Sequence, residues 1–128
     1  MRERYDYAMS VRAIRGAVQV EANTPEAIAA GTKELLLEII RSNELEIGAI
    51  ISVLLTATPD LTATFPAAAA REIGFEATPL LCAVEIDVAG ALPRVIRAMA
   101  TVETDKSSSE ITHIYLGGAK ALRRDIAQ

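Results

Sequence analysis

Apolar positions along this chain fall into two spacings, and the switches between them mark its elements. Residues 1–10 (MRERYDYAMS) are polar and predict a short extension ahead of the domain. Val11 to Glu21 (VRAIRGAVQVE) is β-branched and partly alternating, the period of a strand. Arg15 shares a strand face with Val11, Ala13 and Ala17, so its neighbours are small and leave room beside it. The stretch ANTPEA opens a helix, with Thr24 as N-cap, Pro25 at the first helical position and Glu26 in the first turn. Ile28, Thr32, Leu35, Leu36, Ile39 and Ile40 then recur at helical spacing until Ser42-Asn43. Ala49 to Thr56 (AIISVLLT) is a near-continuous apolar run, expected for a central strand covered on both faces.

After a Thr58-Pro59-Asp60 loop, Pro66 opens a short Ala-rich helix that Gly74 closes. Thr78 to Ile86 (TPLLCAVEI) reads as another buried strand, carrying Glu85 near its end. Asp87 to Gly90 form a turn, and Pro93 reads as the start of a third helix, LPRVIRAMATVE. Beyond the polar loop TDKSSSE, Glu110 to Leu116 (EITHIYL) predicts the last strand, with His113, Tyr115 and Ile111 on one face. Gly117-Gly118 loosen the chain before the basic tail KALRRDIAQ. The expected architecture is α+β, a mixed β-sheet with helices packed on one face. That arrangement leaves the other face of an apolar sheet uncovered, so an oligomer is expected.

Composition narrows the function classes. The 128 residues suit one domain, and 51% hydrophobic with 23% charged composition excludes a disordered chain. Seventeen acids against thirteen bases give a net charge of −4, which argues against nucleic acid as a partner. No apolar run approaches the ~20 residues that span a bilayer, and the N-terminus lacks the apolar core of a signal peptide. A cytoplasmic protein without a membrane partner is therefore expected. One His and one Cys provide neither a hydrolytic triad nor a soft-ligand metal site, and no phosphate-binding glycine loop is present. What remains is Arg15, Arg71 and Arg97, each set among apolar or small residues in an acidic chain. A guanidinium stays charged and is costly to bury without an anion, so the three point to an anion pocket. The simpler reading is that each pairs with one of the chain's own acids, Glu85 among them, or reaches out to water. Cys82, His113 and Tyr115 likewise read first as core or structural residues.

Four motifs in series go further. AIRGAVQVEANTPEAI, LLTATPDLTATFPAAAARE, PLLCAVEIDVAGALPRVIRAM and HIYLGGAKALRRD resemble the monofunctional, AroH-type chorismate mutases, in order and with matching spacing over nearly everything after residue 10. The resemblance implies a domain at 11–128 with a mobile C-terminal tail at 116–128. It implies a homotrimeric pseudo-α/β-barrel with active sites between subunits. The implied activity is the intramolecular Claisen rearrangement of chorismate to prephenate on the route to phenylalanine and tyrosine. It needs no cofactor and no metal.

The resemblance also implies roles. Arg97, in PRVIRAM, stands where the family places the cation beside the breaking ether bond. Arg15, in IRGA, matches a carboxylate partner. Glu85 and Cys82, in LLCAVE, match the residues that meet the ring hydroxyl, and Leu81, Ala83 and Val84 line the pocket with them. Tyr115, in HIYL, closes over the side-chain carboxylate. Phe65, Ala67 and Arg71 come from the neighbouring subunit, and Leu122 and Arg123 belong to a cap that orders over ligand. Many members carry a Lys where this chain has Ala68, and LRPD where it reads LRRD. The competing expectation is a non-enzymatic trimeric metabolite-binding or regulatory protein on a related scaffold.

Overall fold

A computed structural model of the chain describes residues 9–125, with side chains through Leu122. Its elements are β1 (Ser10–Gln19), α1 (Pro25–Ser42), β2 (Ile50–Ala57), α2 (Pro66–Glu72), β3 (Leu80–Val84), β4 (Val95–Thr104) and β5 (Ile114–Leu116). Short 3₁₀ segments occupy Ile47–Ala49, Ser108–Glu110 and Gly117–Asp125. The first eight residues of the expected extension lie outside the described residues, and Ser10 already belongs to β1.

The strands form one mixed sheet in the order β3-β2-β4-β1-β5. The central strand, β4, runs antiparallel to both neighbours, while β3 is parallel to β2 and β5 parallel to β1. Both α-helices lie on the same face. Ile14, Val18, Val53, Leu55, Ile96, Ala98, Ala100 and Val102 from the sheet meet Ile28, Leu35, Leu36 and Ile39 of α1, Ala67 and Ala70 of α2, and Phe75. Each large aliphatic side chain buried there contributes roughly 1.5–3 kcal/mol.

The local signals for α1 act as expected. Thr24 Oγ1 accepts the Ala27 N–H at 3.0 Å, Pro25 fills the first helical position, and Glu26 and Arg41 oppose the helix dipole at its two ends. The helix lies directly on β1 because Gly16 has no side chain: a Cβ there would sit 2.8 Å from Leu35 Cδ1. Gly74 follows α2 in the left-handed region at φ 115°, the conformation its C′ position calls for.

Four expectations change. The buried strand expected at 78–86 is Leu80–Val84, an edge strand whose Leu81, Ala83 and Val84 are exposed. The third helix does not form: residues 95–104 are the central strand. Ile96, Ala98, Ala100, Val102 and Thr104 are buried while Arg97, Met99 and Glu103 are exposed, a period of two that overrides the helix-favouring Ala and Met residues and the apparent start at Pro93. The last strand is only Ile114–Leu116, because Ser107 and Glu110 form a reciprocal capping box that winds Ser108–Glu110 into a 3₁₀ turn. Finally, β2 is covered on one face only in the protomer, since Leu54 is exposed on the side away from the helices. Among the described residues no helix is long and apolar enough to cross a membrane.

Asn43 joins the helical layer to the sheet edge. It is buried; its Nδ2 donates to Ile39 O at 3.0 Å and Thr112 O at 2.9 Å, and its Oδ1 accepts the Thr112 N–H at 2.8 Å. Asn43→Ala leaves these backbone groups without partners and is expected to cost about 2 kcal/mol of unfolding free energy. Urea denaturation measures it, and a loss below a few tenths of a kcal/mol would contradict the clamp.

Candidate active site

The open face of the sheet is organised by strand register. Thr56 of β2 pairs with Ala83 of β3 on one side and with Arg97 of β4 on the other. Arg97 in turn pairs with Ala17 of β1, and Ala17 with Tyr115 of β5. These five residues form a row across the whole sheet. The next row holds Leu81, Leu54, Met99 and Arg15. Because side chains alternate along a strand, both rows project away from the helices. The misassigned helix thus matters for function, since it places Arg97 at the middle of the central strand.

Glu85 continues the β2–β3 ladder for one residue, its N–H donating to Ala57 O at 2.9 Å. This turns its carboxylate onto the same face. Glu85 Oε2 accepts Arg97 Nε at 2.9 Å and the Thr56 hydroxyl at 2.6 Å. The Glu85 side chain is 16% exposed and that of Arg97 48%, so the carboxylate is the buried partner and the guanidinium reaches outward. Among the described residues nothing is bonded to the terminal nitrogens of Arg97, nor to the guanidinium of Arg15. A cleft of about 250 Å³ lies between the two cations, lined by Arg15, Gly16, Ala17, Leu54, Thr56, Arg97, Ala98, Met99 and Tyr115. The small residues at positions 16 and 17 leave the room that the strand pattern predicted. A second cavity of about 580 Å³ adjoins Arg97 from the other side, between the 85–93 segment, the Thr58–Asp60 turn and Leu122.

The entry to β4 is fixed tightly. Arg94 sits at φ 55°, in the left-handed region a non-glycine residue rarely occupies. Asp60 Oδ2 accepts its N–H at 2.9 Å, Thr58 Oγ1 accepts the Val95 N–H at 3.0 Å, and Arg94 Nε donates to Val20 O at 3.0 Å. Burial pushes the Asp60 carboxyl up, but hydrogen bonds from Thr58 and from backbone N–H groups, with the charge of Arg94, outweigh it and hold the group below its usual range. The start of the strand carrying Arg97 is therefore set by a network rather than by a loop.

The structure brings together Arg15, Glu85, Arg97 and Tyr115, with Ala83 in the same row. Leu122 closes the far side of the second cavity, where Gly117–Asp125 passes over the open face and buries Ala119 against Ala17 and Val95. The side chain of Arg123 lies outside the described residues. Cys82 does not join them: it pairs with Leu55, faces the helices, packs on the core and lines a separate groove with Phe65 and Val84. Phe65 (71% exposed), Ala67 and Arg71 stand on or beside α2, away from the Arg97 cleft of their own protomer. Asn23 holds the loop before them, its Oδ1 accepting the N–H groups of Thr62 and Ala63 at 2.9 and 3.0 Å. Sequence reading missed Thr56, Asp60 and Asn23. A polar residue ending an apolar run was the only signal for Thr56, and Asn23 and Asp60 looked like ordinary turn residues.

Chemically, the arrangement offers two outward cations on a rigid sheet and one carboxylate that orients one of them. It suits a small dianion. Among the described residues no cluster of three or more His, Cys, Asp or Glu is placed to hold a metal ion.

Comparison with known proteins agrees with this geometry. Residues 11–126 match the family model for chorismate mutase type I. The chain is 48% identical to "Chorismate mutase AroH" of Thermus thermophilus over 117 residues, covering 91% of this chain and 96% of that one. It is 45% identical to "Chorismate mutase AroH" of Bacillus subtilis over 120 residues, covering 93% and 94%. A solved structure of a chorismate mutase from Clostridium thermocellum superposes with a TM-score of 0.85 at 50% identity, covering 86% of this chain and 98% of that one.

The site's edge also carries a pH-dependent contact. His113 Nδ1 accepts the Arg15 N–H at 3.0 Å, which requires the unprotonated nitrogen. Burial, then the charge of Arg15, lowers the imidazole below its ordinary 6.5. The unfolded chain thus binds this proton more readily than the folded one. Its stabilising contribution is complete above pH 6.5 and is lost as pH falls from there through the folded value. The thermal midpoint should drop on acidification across that window, and the drop should shrink in His113→Gln. An equal drop in both proteins would contradict it.

Proposed function

Since the chain belongs to the type I chorismate mutases, we propose that it converts chorismate to prephenate by holding one reactive shape and stabilising the charge that shape develops. The observation that carries this reading is Arg97, held through Nε by Glu85 at the wall of the cleft it shares with Arg15, with its terminal nitrogens unpaired among the described residues. The reaction is a unimolecular rearrangement, so no nucleophile, cofactor or proton transfer is required. Its C–O bond breaks ahead of C–C bond formation, and negative charge builds on the ether oxygen. A guanidinium already fixed at that point stabilises the transition state more than the ground state and needs no reorganisation as the charge appears.

The remaining roles follow from position. Arg15, one row from Arg97, binds a carboxylate and so selects the compact conformer in which the reacting carbons meet. Tyr115, at the end of the Arg97 row, closes over the side-chain carboxylate. Glu85 accepts the ring hydroxyl while orienting Arg97. Cys82 faces the helices, so in this reading the backbone of residues 81–85, with Leu81, Ala83 and Val84, lines the pocket in place of the thiol. Leu122 and Arg123 form the cap.

The enzyme acts as a homotrimer. The apolar row Leu81, Leu54 and Met99 and the exposed Val84, Ile86 and Val88 beside it make a surface suited to contact between subunits. Phe65 and Arg71, exposed and remote from Arg97 in their own protomer, then complete the cleft of the next subunit, while Ala67, buried in its own core, contributes through its backbone. A cytoplasmic location goes with this reading. A trimeric binding protein without catalysis would tolerate loss of the Arg97 charge; an enzyme of this kind would not.

Purified protein should accelerate loss of the diene absorbance of chorismate, and an unchanged rate over buffer would end this reading. Arg97→Ala should lower kcat by a factor on the order of 10²–10³ or more while the trimer stays intact by light scattering; retained turnover would refute the role of Arg97. Because no proton moves, kcat should vary little between pH 6 and 9, and a bell with both limbs inside that range would count against the mechanism.

A further inference from the structure

We infer that Thr56 is a positioning residue for this reaction: its hydroxyl holds the Glu85 carboxylate so that Glu85 can in turn aim Arg97. The inference rests on the chorismate mutase reading and goes beyond it. Thr56 touches no reacting atom in that reading. It acts through one oxygen, Glu85 Oε2, which accepts both Arg97 Nε at 2.9 Å and Thr56 Oγ1 at 2.6 Å. An ionised carboxylate only accepts, so the hydroxyl is the donor.

Two physical consequences follow from this shared oxygen. First, the carboxylate is fixed from two strands at once, β2 through the hydroxyl and β4 through the guanidinium, while its own backbone extends β3. Glu85 alone has three rotatable side-chain bonds and Arg97 has four, so a single ion pair between them would leave both free to drift together. The threonine sits on a strand, is β-branched and stiff at χ1, and is paired in register with Arg97, so it supplies the rigid end of the chain of contacts. Second, the hydroxyl takes up part of the negative charge on Oε2. That leaves the Arg97 guanidinium less neutralised, and more of its field is available to an ether oxygen on its far side. Both effects bear on the cation that meets the transition state and not on Arg15, which meets a substrate carboxylate in ground and transition states alike.

Thr56→Val keeps the size, the branching and the strand preference and removes only the hydroxyl, so the fold and the trimer are expected to persist. Thr56→Ser keeps the hydroxyl and removes the methyl group. In Thr56→Val, kcat should fall about 10-fold with KM within about twofold of the wild type, the pattern of an interaction expressed only in the transition state. Thr56→Ser should recover most of that loss. The decisive comparison is a cycle with Glu85→Gln, which removes the charged acceptor. If Thr56 acts through Glu85, adding Thr56→Val to Glu85→Gln should lower kcat by far less than 10-fold. Wild-type kcat in Thr56→Val, a loss carried by KM, no recovery by Thr56→Ser, or a full 10-fold loss on top of Glu85→Gln would each overturn the inference. A wild-type protein with no turnover at all would remove the functional reading first, and this inference with it.

Discussion

The arrangement depends on holding a permanent positive charge on the central strand of a sheet without cancelling it. Arg97 emerges from β4 with Glu85 bonded to Nε and the outer edge of the guanidinium left for a ligand. A carboxylate bound across both terminal nitrogens would neutralise the group and occupy the positions that catalysis needs. Pairing at Nε instead fixes the orientation and leaves the two terminal nitrogens as a directional, positive edge. The buried member of the pair is the carboxylate, which has the hydroxyl of Thr56 as a second donor. Arg97, Glu85 and Thr56 thus each have a partner within the cluster, and among the described residues the outer edge of the Arg97 guanidinium is left unpaired.

The sheet supplies the precision. Register places Thr56, Arg97, Ala17 and Tyr115 in one row and Arg15 in the next, so the backbone positions of the two arginines are set by interstrand distance, and Glu85 then aims the Arg97 side chain. The helices contribute from below: α1 seats against Gly16, directly behind Arg15, and the packed core beneath gives the strands little freedom to move. The latch at Thr58, Asp60 and Arg94 fixes where β4 begins. A single protomer leaves this face open, with apolar residues beside the charged cluster. The surface proposed to accept a ligand is therefore also suited to accept a neighbouring subunit, which would exclude water and strengthen each electrostatic contact inside.

Much of the fold was legible in the sequence wherever a local rule is strong. Thr24 and Pro25 mark the start of α1, Gly74 marks the end of α2, and the alternation around Arg15 marks β1. The failure at residues 93–104 has a definite cause. Pro93 mimics a helix start and Ala98, Met99 and Ala100 favour helix, whereas burial of every second residue from Ile96 to Thr104 depends on β1 and β2 flanking the strand. Those partners are distant in sequence, so no short window reports them. The site shows the same division. Arg15 and Arg97 stand out as cations among apolar residues, but spacing alone left them open to pairing with the chain's own acids, and their roles came from family resemblance. Thr56 and Asp60 carry no local mark because their importance lies in contacts made across strands. Cys82 sat in the right motif, and only the β2–β3 register shows that its thiol faces the helices.

The central claim is that the outer edge of Arg97 meets the oxygen on which charge accumulates. A crystal structure with a bicyclic dicarboxylate shaped like the transition state measures this directly, as the distance from the Arg97 terminal nitrogens to the bridging ether oxygen. The account predicts about 2.7–3.1 Å, with Glu85 still on Nε. A guanidinium turned away into solvent, with that oxygen met by some other group, would contradict it.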